Sequence, residues 1–381
     1  MESLVSQANS LYLDYGLTDG LRENLNRWDS YVSVAASRPM PDRWDLAIQP
    51  SLRSATVAGS TGIEGNPLTV AEVADVLSGG AAGDRESQRE VTNYNEAMNI
   101  ATTVAARPDF VPEESLVQLR NATVTRVTPT DTHGIYRSEL VTVDGFYSAP
   151  NHSAVPGLVA RLIGWWGRAD EHPLITSALL HLNMAAIHPW TDGNGRTARV
   201  LASLVMMRTP LRNPDVISLE SCFRANRSEY FDQLATVIGQ SYQPDRHSVT
   251  PWLEYYVRLS TLRLDAASQL NQSVRQDMGT LLAALGEAGH PYEWAPILLA
   301  ASLYPLQTSR LARAHGRSEP AIRHTLAHMV TAGWLQREGR TRGTRYFAGE
   351  RLSQPLRTPV VLGLISSGYV QTTWHEPTAE S

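Results

Sequence analysis

The chain has 381 residues and a formal net charge of −5 at pH 7, and its 42% hydrophobic and 19% charged residues are ordinary for a globular protein. Its one cysteine, Cys222, excludes an intramolecular disulfide and therefore a disulfide-stapled secreted fold. The first residues have no signal-peptide pattern, and no stretch approaches the ~18 apolar residues of a membrane span, so we expect a cytoplasmic protein without a membrane partner. The acidic balance argues against nucleic-acid binding over the whole surface.

The first part of the chain, residues 1–95, is predicted to be a small helical region. Apolar residues recur at helical spacing in segments such as Val70–Leu77, which follows Pro67 and precedes Gly79. A larger, mostly helical domain is expected over residues 96–270.

Residues 139–147, with the sequence ELVTVDGFY, predict a β-hairpin inside this helical chain. Val141 and Val143 alternate with Thr142, which is the period of a strand with two different faces. The Asp-Gly pair that follows is typical of a two-residue hairpin turn. We therefore expect one short hairpin among the helices.

Two predicted helices in the middle of the chain are apolar on several faces. The sequence LITSALLHLNMAAI spans residues 174–187, and TARVLASLVMM spans residues 197–207. A helix that is apolar nearly all round is buried on every side, so we expect this pair at the centre of the domain. Two such helices present the polar, glycine-rich loop between them, residues 188–195.

The last part of the chain predicts a separate module. Helices continue to Leu270, residues 271–290 have the features of a connector, and residues 291–350 predict three helices followed by two short strands. This order is typical of a winged helix-turn-helix. Residues 351–381 are expected to be a C-terminal tail. The predicted fold class is therefore mainly α, with a short β-hairpin in the central domain and a winged module after it.

Residues 188–199, HPWTDGNGRTAR, contain a turn that suits a phosphate. Gly193, Asn194 and Gly195 stand directly before a helix, where unpaired N–H groups and the helix dipole bind anions. Glycine also lets the backbone approach an anion without a Cβ in the way. A glycine-rich turn alone would be weak evidence for a nucleotide site.

Four ionisable residues around this turn strengthen the interpretation. Arg196 and Arg199 lie near one face of the predicted helix, so both guanidinium groups reach the same polyphosphate. Asp192 is a hard oxygen ligand of the kind that Mg²⁺ takes beside nucleotide phosphates. His188 lies four residues before Asp192, where it can accept the proton of an attacking hydroxyl at neutral pH.

This segment resembles the Fic-family motif, His-Pro-Phe-x-Asp/Glu-Gly-Asn-Gly-Arg-x-x-Arg, at every position except Trp190, where Phe is usual. Relatives that carry out phosphorylation or phosphocholine transfer typically depart at positions such as Gly193, Gly195 and Arg196, which are all present here. The resemblance implies the Fic helical fold and a protein adenylyltransferase. Such an enzyme transfers AMP from Mg·ATP to a Ser, Thr or Tyr hydroxyl of a target protein, and pyrophosphate leaves.

The resemblance also implies a role for each residue of the motif. His188 is the expected general base, and Asp192 is the expected Mg²⁺ ligand. Asn194 and the neighbouring glycine amides are expected to bind the α- and β-phosphates. Arg196 is expected to hold the same phosphates, and Arg199 is expected to meet the γ-phosphate.

Residues 60–66, STGIEGN, resemble the inhibitory signature of the same family, with Ser60, Glu64 and Gly65 at its defining positions. In the class that carries this signature upstream of the catalytic motif, the Glu pairs with the second Arg of the motif, here Arg199. The physical reason is that a carboxylate in a phosphate site competes for the same guanidinium. The alternative is that Glu64 is a solvated charge in a glycine-rich loop.

Two further assignments follow from the resemblance. The hairpin with Val141, Thr142 and Val143 corresponds to the family's flap, which docks the target by strand addition; the alternative is a simple connector. Residues 224–234, RANRSEYFDQL, resemble the segment that closes the adenine pocket, and Tyr230 is the candidate there. The alternative for Tyr230 is a core residue whose hydroxyl has a partner in the fold.

The C-terminal module suggests a different functional class. Between Arg310 and Arg345 there are eight Arg and two Glu, a net charge of +6 (8 − 2), which suits DNA phosphates. The alternative is that the module mediates protein contacts or a homodimer. Two hypotheses therefore remain: a self-inhibited adenylyltransferase with an accessory winged helix, or a DNA-binding regulator whose Fic module senses nucleotide or removes AMP.

Overall fold

The computed structural model describes residues 10–37, 42–124, 136–143, 145–211, 214–340, 343–352 and 356–368. The helices are α1 (Asp19–Ser37), α2 (Asp42–Ile63), α3 (Val70–Leu77), α4 (Arg85–Ala105), α5 (Pro112–Val124), α6 (Val155–Trp166), α7 (Pro173–Ile187), α8 (Asn194–Met207), α9 (Glu220–Ala225), α10 (Arg227–Ile238), α11 (Thr250–Glu287), α12 (Ala295–Leu303), α13 (Thr308–Ala314), α14 (Glu319–Thr331) and α15 (Thr358–Ser366). The strands are β1 (Thr142–Val143), β2 (Tyr147–Ser148), β3 (Leu335–Glu338) and β4 (Arg345–Ala348). The fold is mainly α, as the sequence predicts, and no helix in these ranges has the length and hydropathy of a membrane span.

The two apolar helices, α7 and α8, lie at the centre of the molecule. Leu179, Leu180 and Leu182 on α7 are fully buried, and so are Val200 and Leu201 on α8. Their side chains divide between two hydrophobic clusters, because α7 and α8 pack against each other and each has a further layer of helices behind it. The prediction of a central helix pair is therefore confirmed, and the loop between the two helices is held at both ends by buried structure.

Helix α2 contacts two regions of the molecule. Near its N-terminal end, Ile48 and Leu52 are buried in the same hydrophobic cluster as Leu298 of α12. The hydroxyl of Tyr304 donates to the carbonyl of Ala47 at 3.1 Å. The C-terminal end of α2, at Ile63, lies in the hydrophobic cluster around α7. One helix thus joins the core of the C-terminal module (residues 291–350) to the centre of the molecule.

Helix α11 extends beyond its predicted end. The sequence predicts an end at Leu270 and a connector over residues 271–290, whereas the helix has 38 residues and continues to Glu287. Val274, Leu281 and Leu285 recur at helical spacing and are buried against the C-terminal module. This burial stabilises the helix more than its internal glycines destabilise it.

The C-terminal module contains the predicted order of elements, three helices followed by an antiparallel pair. Leu335 of β3 lies opposite Ala348 of β4, and backbone hydrogen bonds connect Leu306 with Tyr346 in both directions. The predicted tail is partly helical: the amides at the start of α15 donate to the carboxylate of Asp277, and this helix packs against α11. Two residues of the predicted wing, Thr341 and Arg342, lie outside the described ranges.

The hairpin has Thr142 opposite Ser148 and Val143 opposite Tyr147. The Tyr147 hydroxyl donates to the carbonyl of Ala186 at 2.8 Å, which attaches the hairpin to the last turn of α7. The predicted turn residue Asp144 lies outside the described residues. The hairpin is therefore beside the loop that follows α7.

Candidate active site

The start of α8 brings several backbone N–H groups to one point. Gly193 precedes the helix in the left-handed region, with φ 79°, and as a glycine it has no side chain to cap the first N–H groups. These groups have no partner inside the helix and lie at the positive end of its dipole. The turn at Gly193, Asn194 and Gly195 therefore has the features of an anion site.

The Asn194 side chain is bound to the loop itself. Its Nδ2 donates to the carbonyl of Trp190 at 2.8 Å, and its Oδ1 accepts from the Trp190 amide at 3.0 Å. Both functions of the side-chain amide are thus used within the loop, and Asn194 is only 3% exposed. Its side chain fixes the shape of the loop, and its backbone N–H belongs to the anion site.

His188 stands at the C-terminal end of α7 in an uncommon backbone conformation. Its φ of 49° and ψ of 58° are left-handed, and it is the one non-glycine residue with positive φ in the described ranges. Such conformations cost free energy unless the surrounding structure maintains them, and they cluster at functional sites. Its side chain is half-buried at the start of the glycine-rich loop.

Arg196 pairs with two carboxylates close to the loop. Its Nη2 lies 2.7 Å from Oδ1 of Asp192, one helical turn earlier, and its Nη1 lies 3.3 Å from Oε1 of Glu90. Glu90 is held in turn by Asn66, whose Nδ2 donates to the second carboxylate oxygen at 2.8 Å. These contacts fix the guanidinium of Arg196 at the edge of the anion site.

Arg199 pairs with residues from another helix. Its Nε donates to the hydroxyl of Ser60 at 2.8 Å and its Nη2 to the Ser60 carbonyl at 3.1 Å. The same Nη2 donates to Oε1 of Glu64 at 2.7 Å. Ser60 lies in the last turn of α2, and Glu64 and Gly65 form the turn that follows. Arg199 is 2% exposed, whereas 34% of the Glu64 side chain is exposed.

Glycine at position 195 leaves room for the contact between Glu64 and Arg199. A Cβ on Gly195 would lie 2.4 Å from Oε1 of Glu64 and 3.1 Å from Nη1 of Arg199. The Glu64 carboxylate therefore lies directly against the backbone of the anion site, where a bound phosphate would compete with it for space and for positive charge.

The charges of this pair stabilise each other. Burial raises the pKa of Glu64, but the guanidinium of Arg199 outweighs burial and holds the pKa of this carboxyl below its ordinary value. Burial likewise lowers the pKa of Arg199, and the Glu64 carboxylate outweighs it and raises that pKa. Both groups are therefore charged at neutral pH.

Each of the two arginines keeps one nitrogen without a hydrogen-bond partner in the described part of the chain, Nε of Arg196 and Nη1 of Arg199. Both atoms are buried, and buried charged donors without partners are costly. The position of Nη1 near Gly195 places one of them next to the anion site. This arrangement fits an anionic ligand such as a polyphosphate.

Tyr230 lies in the core behind Arg199. It is 2% exposed, stacks on Phe223 with ring centroids 4.5 Å apart, and its hydroxyl is 2.8 Å from Nε2 of His181. Burial, and to a smaller extent the charge of Arg199, lowers the pKa of His181 to about 3, so this histidine is neutral. The geometry of Tyr230 corresponds to that of a core tyrosine whose hydroxyl has a partner.

Two arginines from the segment RANR bind the end of α2. Nη1 of Arg224 donates to the carbonyl of Ala58 at 2.9 Å, and Nε of Arg227 donates to that of Ile63 at 2.9 Å. Cations at a helix C-terminus satisfy its last carbonyls and its dipole. A Cβ on Gly59 would lie 2.5 Å from the carbonyl carbon of Glu220, so the backbones of α2 and α9 are in direct contact. The turn that carries Glu64 is thus held tightly.

The carboxylate of Asp192 is the candidate metal ligand of the site. Among the described residues there is no group of three or more His, Cys, Asp and Glu side chains that could hold a metal ion. Asp192 is 36% exposed at the edge of the anion site. Mg²⁺ often binds one or two carboxylates together with substrate phosphates. The residues therefore fit Mg²⁺ as an ion shared between Asp192 and a nucleotide.

The hairpin has an open edge. Within the described ranges, β1 pairs only with β2, and Ser148 of β2 forms a further bridge to Ser241 on its other side. Thr142 is exposed, and Val141 and Val143 are half-exposed. An open strand edge is a template for the backbone of another chain.

Sequence reasoning did not identify three residues that surround the motif. Glu90 of α4 binds Arg196, and nothing about the position of Glu90 in the sequence indicates this contact. Arg120 is fully buried on α5, 5.1 Å from the ring of Trp190. Arg137 lies in the segment GIYRSE before the hairpin and contacts the backbone of His188. Each of these residues is a single charged side chain outside the motif, and its contact joins segments far apart in the chain, so no local pattern in the sequence indicates it.

Comparisons with known proteins agree on one family. Residues 87–206 match the model of the Fic/DOC family. A protein adenylyltransferase Fic from Culex quinquefasciatus is 29% identical over 244 residues, which are 61% of this chain and 46% of that protein. The protein of the same name from Drosophila mojavensis is 30% identical over 155 residues, 39% of this chain and 30% of that one. The chain thus spans about half or less of the length of the curated relatives it matches.

Solved structures share the fold. A Fic family protein from Desulfovibrio desulfuricans G20 superposes with a TM-score of 0.58 at 22% identity, covering 88% of this chain and 97% of that one. A Fic-1 structure from C. elegans has a TM-score of 0.52 at 19% identity and covers 64% of this chain and 70% of that one. At these identities the likeness concerns the fold.

Proposed function

The chain contains a Fic domain, and we propose that it is an autoinhibited protein adenylyltransferase. It would transfer AMP from Mg·ATP to a Ser, Thr or Tyr hydroxyl of a target protein. One observation carries the proposal: the buried guanidinium of Arg199 lies at an anion site made of backbone N–H groups, and the carboxylate of Glu64, from the turn after α2, occupies one side of it.

The positions of the groups support the following reaction. The N–H groups at the start of α8, together with Arg196 and Arg199, would bind the phosphates and stabilise the charge that develops in the transition state. The target hydroxyl oxygen attacks the α-phosphorus, the bond from that phosphorus to the bridging oxygen breaks, and pyrophosphate leaves. His188 accepts the proton of the attacking hydroxyl. Mg²⁺ held by Asp192 and phosphate oxygens would neutralise part of the phosphate charge.

Glu64 would inhibit this reaction by competing with the γ-phosphate. When its carboxylate binds Arg199, that guanidinium has fewer donors for the nucleotide, and the phosphates adopt a pose unsuited to in-line attack. Ser60 supports the same state, because its hydroxyl and its carbonyl both accept from Arg199. The open edge of β1 would dock an extended segment of the target next to His188.

The test is transfer of label from α-labelled ATP with Mg²⁺, on the enzyme itself and on lysate proteins, by wild type, Glu64→Gly and Glu64→Gly/His188→Ala. We expect label with Glu64→Gly and its loss in the double variant. Label from γ-labelled ATP instead would make the protein a kinase and would overturn the proposal. Equal labelling by wild type and Glu64→Gly would remove the inhibitory role of Glu64 but keep the transferase.

A second candidate is a DNA-binding regulator whose Fic domain senses nucleotide or removes AMP. The observation that favours it is the surface of the C-terminal module, where five arginines are exposed among the described residues: Arg313, Arg317, Arg323, Arg337 and Arg340. Such a surface suits duplex phosphates. Salt-sensitive binding of duplex DNA in the absence of any transfer activity would favour this candidate, whereas a concentration-dependent mass in solution without DNA binding would make the module a homodimer contact.

A further inference from the structure

Arg137 is a buried arginine whose donors all point at backbone carbonyls. It is 4% exposed and lies shortly before the first strand of the hairpin. Its Nε donates to the carbonyl of His188 at 2.8 Å, and its Nη1 donates to that of Glu139 at 2.7 Å. Its Nη2 donates to the carbonyl of Pro150. Its own amide donates to Pro189 at 2.9 Å.

These carbonyls belong to two structures that are distant in sequence. His188 and Pro189 follow α7 and begin the glycine-rich loop, whereas Glu139 and Pro150 stand before and after the hairpin. The last carbonyls of a helix have no partner inside it, and a cation beside them also interacts favourably with the dipole. One side chain therefore satisfies the end of α7 and joins it to both ends of the hairpin.

The contact between Arg137 and the His188 carbonyl bears on the left-handed backbone of His188. A non-glycine residue remains at positive φ only where its surroundings maintain it, and the carbonyl that Arg137 binds is that of His188 itself. The orientation of this carbonyl is coupled to the ψ angle, and hence to the direction of the side chain. A planar guanidinium has five donors spread over three nitrogens in a rigid fork. A lysine ammonium carries all its donors on one nitrogen and cannot reach carbonyls that lie at three separate positions.

We infer that Arg137 is a positioning residue for the general base: it holds His188 in the left-handed conformation that directs its imidazole at the attacking hydroxyl, and it connects the base to the hairpin that docks the target. The inference rests on the proposed function. Arg137 touches only backbone carbonyls, so its effect on the reaction passes through His188 and the hairpin.

The test compares Arg137→Lys with a matched control in the Glu64→Gly background. Arg263 is a second buried arginine that donates to a carbonyl near the end of a helix, Ile365 of α15, at 3.0 Å. For Arg137→Lys we expect kcat to fall about 10- to 100-fold, the size of effect that follows from misplacing a reacting group. KM for ATP and the Kd for ATP should stay within about twofold, because the anion site is unchanged. Arg263→Lys should lower Tm by about as much as Arg137→Lys does and leave kcat unchanged.

A second readout does not depend on activity. The ring resonance of His188, assigned by its loss in His188→Ala, should change in the NMR spectrum of Arg137→Lys and stay in place in Arg263→Lys. The inference is overturned if kcat is unchanged in Arg137→Lys, if ATP affinity is lost together with kcat, or if the His188 resonance does not move. Absence of transfer by Glu64→Gly itself would instead contradict the proposed function, and the His188 resonance would then decide on the positioning role alone.

Discussion

Arg196 and Arg199 lie one turn apart on the same helix and differ in the residues that bind them. Arg196 is held by Asp192 of its own loop and by Glu90 at the edge of the site. Arg199 is held by Ser60 and Glu64, which are more than 130 residues away in sequence. In the proposed function, the partners of Arg196 keep a phosphate-binding group in place, whereas Glu64, the main partner of Arg199, competes with a phosphate.

The difference shows which part of the site another element can control. Asp192 cannot leave Arg196 without a change of the glycine-rich loop, because it also accepts from the Gly193 amide at 2.6 Å. Glu64 is carried by α2, whose other end lies in the core of the C-terminal module. A displacement of that helix along its axis would change the contact with Arg199, whereas the contact of Arg196 with Asp192 lies within its own loop and helix.

The largest expected effect separates the two carboxylates. Glu64→Gly should raise AMP transfer about 10- to 150-fold, the factor that corresponds to one charge-assisted hydrogen bond of about 1.5–3 kcal/mol. Glu90→Gly should not raise it, because Glu90 holds Arg196 without occupying the place of a phosphate. Initial rates with α-labelled ATP measure both, and equal activation by the two variants would contradict the distinction.

Substitution of the arginines should give a different pattern in the two backgrounds. In wild type, Arg199→Lys should change the Kd for ATP little, since Glu64 already occupies that guanidinium; in Glu64→Gly it should weaken binding about tenfold. Arg196→Lys should weaken binding by a similar factor in both backgrounds. Calorimetric titration with ATP and Mg²⁺ gives the four Kd values. If Arg199→Lys weakened ATP binding equally in both backgrounds, Glu64 would not compete with ATP for Arg199.

A smaller effect should come from the far end of α2. Leu52→Ala removes packing between α2 and the C-terminal module, and we expect a loss of about 2–5 kcal/mol in the free energy of unfolding with a gain of a few-fold in AMP transfer. Leu326→Ala on α14, which is equally buried, is the control: it should lose similar stability without gaining transfer. Chemical denaturation and initial rates measure the two quantities, and a gain in the control would mean that general loosening is the cause.

The smallest effect concerns pH and the core behind Arg199. His181 has a pKa of about 3 in the folded protein, below its ordinary value near 6.5, so the unfolded state binds a proton there first as the pH falls. Stability should therefore decrease below about pH 6.5, by at most about 1.4 kcal/mol per pH unit from this group. Urea denaturation of wild type and His181→Gln between pH 5 and 8 checks it, and identical slopes would show that His181 does not contribute.

The Glu64 pair should behave differently over the same range. The pKa of the Glu64 carboxyl lies below its ordinary value. The stability that this carboxylate contributes is therefore fully present above the ordinary pKa of a carboxyl, and it is lost only as the pH falls through the lowered pKa of Glu64. Inhibition by Glu64 should accordingly stay constant between pH 6 and 8.

Much of the architecture could be predicted because it depends on local patterns. The all-round apolar sequence of 174–187 predicts a central helix, and an Asp-Gly turn between alternating residues predicts the hairpin. The end of α11 was missed because tertiary packing of Val274 and Leu281 continues a helix that local punctuation would end. The roles of the individual motif residues remain predictions of the sequence, and the structure adds where each side chain lies.

The mainly helical fold, the resemblance of residues 188–199 to the Fic motif and the glycine-rich turn before a helix could all be predicted from the sequence, because they depend on residues close together in the chain. The packing of the helices was needed to show that Glu90 binds Arg196, that the Asn194 side chain is used within its own loop, and that Arg137 joins His188 to the hairpin. These contacts connect segments tens to more than a hundred residues apart. They depend on how the helices pack, and no periodicity of a single segment carries that information.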